Sequence, residues 1–205
     1  MAGDGVASRM LVNTSLVNAF PKDLSADVTR LAAVLDPQVG YPTSESFAVE
    51  CEREAIQIPY RIYRPIIPDK VFAGLALGDR LIAACWFTRH HDGHMRERFL
   101  RALPAFDRSW IVAYVVTLCG EYVAELLEYI WERRDLFDRA ILARWLCENE
   151  TFHARTRRRI VSYWDCYYRG RHPSFNSYVG CQLIDFFEEC VAGHSSAAPA
   201  QGGHG

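Results

Sequence analysis

The sequence predicts a mainly α fold: stacked antiparallel helical hairpins with a small N-terminal β-hairpin. From Asp69 to Cys190, apolar residues return every three or four positions, the period of a helix with one buried face. Between Ser46 and Ile62 the period falls to two, that of a strand. Turn signals near Asp92-Gly93, Gly120 and Asn149 lie about thirty residues apart, and each separates two helix-length segments. The expected organisation is a loosely ordered N-terminus over 1–23, one helical domain over 24–191 and a disordered tail over 192–205. Within the domain the hairpin covers about 46–63 and the helical array about 69–191.

Ser25 is placed to cap a first helix with Val28, Leu31, Ala32 and Leu35 on one face, and Pro37, Gly40 and Pro42 end it. Phe47, Val49 and Cys51 then alternate with polar residues, and Ile56, Ile58, Tyr60 and Ile62 resume the alternation after Arg53-Glu54. Pro59 cannot donate to a ladder, which makes the second run an edge or bulged strand. Val71, Phe72 and Leu75 start a helix that Gly78-Asp79 interrupts. Leu81, Ile82, Cys85 and Trp86 carry the next one to His90. Asp92 caps the helix of Met95, Phe99 and Leu103. Asp107 is placed to cap a helix around Trp110, Ile111, Tyr114 and Leu118. That helix is apolar nearly all round and therefore buried. Further helices follow at Val123–Ile130, Phe137–Trp145, Phe152–Tyr167 and Phe175–Phe187. The end, AGHSSAAPAQGGHG, is unpatterned.

The stretch HHDGHMRERFLRAL, His90 to Leu103, resembles the second helix of a HEAT-type repeat. There a turn Asp precedes a helix carrying an apolar residue followed by Arg, and Asp92, Met95 and Arg96 match that order. The resemblance covers about fourteen residues and is only periodic over 69–190. It implies an α-solenoid that acts as a binding scaffold, with a protein partner and no reaction of its own.

Composition bounds the function classes. Half of the 205 residues are hydrophobic and the net charge is −2, so no global field draws the chain to nucleic acid or anionic lipid. The seven cysteines form no C-x-x-C pair and sit in apolar runs, as expected in a reducing compartment. No long uncharged apolar window and no secretory leader are visible, which leads to the expectation of a cytoplasmic protein without membrane contact.

Three constellations bear on chemistry. Arg155, Arg158 and Arg159, followed by Tyr163, Arg169 and Arg171, interleave arginine with tyrosine. Phosphate contacts and stacking platforms are built this way, and so are ordinary helix surfaces. Glu121, Glu125 and Glu128 are placed to neutralise them. Arg96 belongs to the same list of candidate binding residues through the repeat-like turn. His90, His91, Asp92 and His94 are four potential metal ligands in five residues, although the Asp-Gly turn disrupts helical ligand spacing. A single Glu-x-x-His, Glu150 to His153, is half of a di-iron pattern. No phosphate loop, nucleophile elbow or kinase set occurs, so no catalytic residue and no cofactor is named. The leading expectation is a non-enzymatic protein-binding scaffold. A nucleic-acid module on Arg155–Arg171 is the alternative, and a metal-dependent enzyme at His90–His94 the second alternative. The oligomeric state is left open.

Overall fold

The hairpin shows most directly how patterning becomes structure. In the computed structural model, which describes residues 15–35 and 42–197, β1 (Ser46–Cys51) and β2 (Glu54–Pro59) pair antiparallel. Phe47 stands opposite Ile58 and Val49 opposite Ile56, all four buried, while Ser46, Ala48, Glu50 and Gln57 face outward. Glu52 and Arg53 close the turn with φ of 54° and 69°. Two consecutive left-handed residues match strand twist, a role usually given to Asn-Gly. Holding them in Glu and Arg costs on the order of 1 kcal/mol or more each. Pro59 ends the ladder opposite Ser46, where its missing N–H costs no bond.

The rest of the described chain is mainly helical, and the chain groups into two compact units. The first takes residues 1–105 with 113–115, the second 106–112 with 116–205. Their boundary runs through α6 (Ser109–Cys119), which is apolar all round and so bears no polar face to mark it.

In the first unit, residues 15–18 form a helical segment, α1, followed by α2 (Ser25–Leu35). Leu16, Ala19 and Phe20 are buried, and Phe20 stacks on Tyr114 at 5.3 Å. The Tyr114 hydroxyl donates to the Ala19 carbonyl at 3.0 Å. Leu16, Ala19 and Phe20 are therefore packed, within the stretch 1–23 expected to be loosely ordered. Three contact residues are too few to display a period. Residues 1–14 lie outside the described residues. After the hairpin come α3 (Asp69–Gly74), α4 (Leu77–Phe87) and α5 (Gly93–Arg101). The break between α3 and α4 falls at Leu75, which is extended at ψ 146°, and Gly78 sits inside the first turn of α4. Phe99 stacks on Phe87 at 4.7 Å and meets the edge of Phe72. α5 thereby joins its two predecessors.

In the second unit, α6 starts after Arg108, not after a capping Asp107, and the Arg108 side chain makes no capping hydrogen bond. α7 (Ala124–Glu132), α8 (Arg139–Glu148) and α9 (Glu150–Tyr163) follow. A π-helical turn (Trp164–Tyr168) and α10 (Val179–Ala197) complete the unit. Asp138 caps α8 by accepting from the Ala140 and Ile141 amides. α10 packs on α7, α8 and α9. Phe186 and Phe187 meet Phe137, which in turn packs edge-on against Phe106. α10 continues through 192–197, past the expected start of the tail. Its last turns are exposed and small, so no apolar period announces them, and Ser195 and Ser196 hydroxyls donate back to Val191 and Gly193 carbonyls. Residues 198–205 lie outside the described residues. No helix among the described residues is long and apolar enough to cross a membrane.

Candidate functional site

The site of most interest is a furrow between α9 and α10. α10 approaches the Ile160 side chain of α9 tightly at Gly180. A Cβ there would lie 2.4 Å from Ile160 Cγ2 and 2.5 Å from Tyr178 Cε1, so only glycine allows this approach. Farther along, larger side chains stand on the facing stripes. On α9 these are Glu150, His153, Ala154, Arg157, Arg158 and Val161; on α10 they are Cys181, Ile184, Asp185, Glu188, Val191 and Ala192. Both sets recur at steps of three and four, the spacing of a single helix face.

Two cavities lie along this furrow. One, about 780 Å³, reaches Ser162, Trp164, Asp165 and Phe175 at the π turn. The other, about 440 Å³, reaches Leu146 and Cys147 at the end of α8. Ala154, Arg157 and Glu188 line both. Arg157 and Glu188 bridge the helices by an ion pair of 2.7 Å, with both side chains about half exposed. The lining carboxylates are Glu150, Asp165, Asp185 and Glu188, against the two cations Arg157 and Arg158, so acid is in excess. Asp165 also pairs with Arg169 at 2.7 Å. Among the described residues, Arg158, Asp185 and Glu150 form no ion pair.

Burial disfavours the charged forms of the histidine and the two cysteines here. Burial pushes the His153 imidazole below its ordinary value. Arg157 adds to this, and Glu188 opposes it. Its ring meets the edge of Phe187, and Nε2 is buried without a hydrogen-bond partner. Burial first, then neighbouring carboxylates, push the Cys147 and Cys181 thiols upward. Neither thiol is poised as a nucleophile.

The basic cluster expected from sequence is dispersed. Arg155 lies over the Phe152 ring at 5.1 Å. Arg159 is half-buried, and its Cδ packs beside Gly120. Arg169 lies over Trp164 at 5.5 Å, and Arg171 is exposed. Of these candidate residues, only Arg158 lines the furrow. Arg157, outside that candidate set, pairs with Glu188 on α10. Tyr163 instead joins Tyr122 and Tyr167, with ring centroids 6.1–6.4 Å apart. Tyr122 and Tyr167 are more than half exposed, so the three form an open aromatic platform. Tyr122, Asp185 and Glu188 carry little signal in the sequence: Asp185 and Glu188 stand three positions apart among several other polar residues of α10.

The π turn sets this surface. Trp164 Nε1 donates to the His172 carbonyl at 2.8 Å. The Tyr168 hydroxyl donates to the Tyr122 carbonyl and accepts from the Ala124 amide, which starts α7. Tyr168 also stacks on Tyr178 at 5.3 Å.

The His90 turn of the first unit is a structural knot. His90 Nδ1 accepts from the Asp92 amide at 3.1 Å, so Nε2 carries the proton and donates to the Arg64 carbonyl at 2.9 Å. Both ring nitrogens are thereby occupied, and His90 has no lone pair for a cation. His91 stacks on Tyr63, and its amide donates to the Ile62 carbonyl. Asp92 caps α5 by accepting from the His94 amide. Arg96, almost fully buried, donates to the His90 and His91 carbonyls, a role inside the fold and not on a binding surface. Among the described residues, no group of three or more His, Cys, Asp or Glu side chains is placed to hold a metal ion. Family models, curated proteins and solved structures show no match to this chain.

Proposed function

We propose that the chain is a non-enzymatic binding module that seats a segment of a partner protein in the furrow between α9 and α10. The observation that supports this reading is the Arg157–Glu188 bridge, which joins two cavities walled by apolar and charged side chains of both signs. Protein surfaces are recognised by such mixed walls; a phosphate backbone asks for a continuous basic stripe. The HEAT-like stacking expected from sequence belongs to the same proposal. It is supported by the short links between consecutive helices, such as Asn149 alone between α8 and α9. The test is affinity capture with the parent and with Val161→Glu plus Ala192→Glu, both at exposed wall positions. Proteins held by the parent and lost by the double variant support the reading; identical captured sets refute it.

One observation favours a second reading, nucleic-acid binding: the open platform of Tyr122, Tyr163 and Tyr167 offers faces on which bases stack. Fluorescence anisotropy with generic single- and double-stranded probes separates the two. Submicromolar, salt-sensitive binding lost on changing Arg155, Arg158 and Arg159 to Glu favours nucleic acid. Only micromolar background favours protein.

A further inference from the structure

We infer that the occupant of the α9–α10 furrow is an amphipathic α-helix of about four turns whose polar edge carries lysine or arginine. This rests on the proposed reading of the furrow as a seat for a protein segment. It adds what kind of segment fits.

Shape selects a helix. Both walls are single faces of α-helices, and the furrow between two such faces is what a third helix fills by setting its ridges into their grooves. From Glu150 to Asp165 the wall is about 22 Å long at the helical rise, roughly four turns. The walls are helices whose backbone groups are bonded internally, so an extended segment laid between them finds no ladder for its own N–H and C=O groups. A helix satisfies its own.

Charge selects a basic edge. Of the four carboxylates that line the furrow, Asp165 pairs with Arg169 and Glu188 with Arg157, which leaves Glu150 and the exposed Asp185 of α10 against Arg158. Among the described residues, the hydrogen bond to the Asp185 carboxylate comes from the Cys181 thiol at 3.8 Å, a weak contact. Glu188 is already bridged to Arg157, but that pair is half exposed, and a cation on an incoming helix can share the carboxylate. The apolar face of the guest has Val161 to cover, an exposed side chain on the wall. A polyanion meets the acidic excess instead.

The test uses three labelled helical peptides of about fifteen residues with one leucine face. Their polar faces are lysine, glutamine or glutamate, and binding to the full chain is read by anisotropy. The lysine peptide is expected to bind about tenfold tighter than the glutamine one, as two exposed charge contacts allow, and the glutamate peptide weakest. The spread should shrink as salt rises. Asp185→Lys, at an exposed position, should remove the lysine preference, and Val161→Glu should weaken all three peptides. Equal, salt-insensitive binding of the three overturns the charge selection and leaves the seat standing. Absence of binding by all three overturns the helix-seat reading itself. Lysine-peptide binding unchanged by both variants places the contact elsewhere and overturns the inference.

Discussion

Gly180→Ala is the sharpest perturbation of the furrow. The new Cβ would stand 2.4 Å from Ile160 Cγ2 and 2.5 Å from Tyr178 Cε1, far inside contact distance. Both obstructing residues are only 1% exposed, so neither can swing into solvent. Overpacking of this kind costs about 1–3 kcal/mol, and two such contacts point to the upper end. Alanine in a helix returns up to about 1 kcal/mol relative to glycine. The expected net loss is about 2 kcal/mol, with the urea midpoint lowered by about 1 M at a typical m-value. Gly193 supplies the control on the same helix. Nothing lies within 4 Å of its Cβ position, so Gly193→Ala should stabilise by about 0.5–1 kcal/mol. Opposite signs for the same substitution on one helix are the signature. A Gly180→Ala protein as stable as its parent refutes the close packing of α9 on α10.

Other outcomes follow from the same geometry. Burial holds the His90 imidazole below its ordinary 6.5, which disfavours its protonated form in the folded protein. That contribution to stability is present above about pH 6.5 and lost as pH falls through the lower folded value. His90→Gln, which gains no proton, should flatten part of the decline in urea midpoint between about pH 7.5 and about pH 5, and an unchanged slope contradicts the assignment. Asp92→Ala and Asp138→Ala each remove a helix cap and should cost about 0.5–2 kcal/mol, measured by denaturant midpoint. Trp110→Ala opens a cavity at a residue only 8% exposed and should cost about 3–5 kcal/mol; a smaller effect means α6 is not core.

What sequence patterning reveals here depends on how a residue acts. The period-two run of Phe47, Val49 and Cys51 is buried as its alternation requires, and Asp92 caps α5 as the turn signal requires. These are local rules. The place of the hairpin turn is legible, but its type is not, because Glu52 and Arg53 adopt a conformation that their side chains do not advertise. The role of Arg96 was hidden for another reason. Its charge suggests a surface, yet its stem is buried and its donors serve the His90 and His91 carbonyls. The furrow was illegible because Glu188 and Arg157 are thirty-one positions apart in sequence and meet only through packing at Gly180. Arginine density along α9 is legible in the sequence, but only the packing of α10 decides which arginine faces the furrow.

The central claim, that α9 and α10 together seat a partner's helix, is tested most directly by mapping amide shifts of the isotope-labelled full chain on addition of the lysine-faced peptide. Shifts should concentrate on the wall positions of both helices, Ala154, Arg157 and Val161 on one side and Asp185, Glu188 and Ala192 on the other. Shifts confined to the Tyr122–Tyr167 platform, or to the first unit, contradict it.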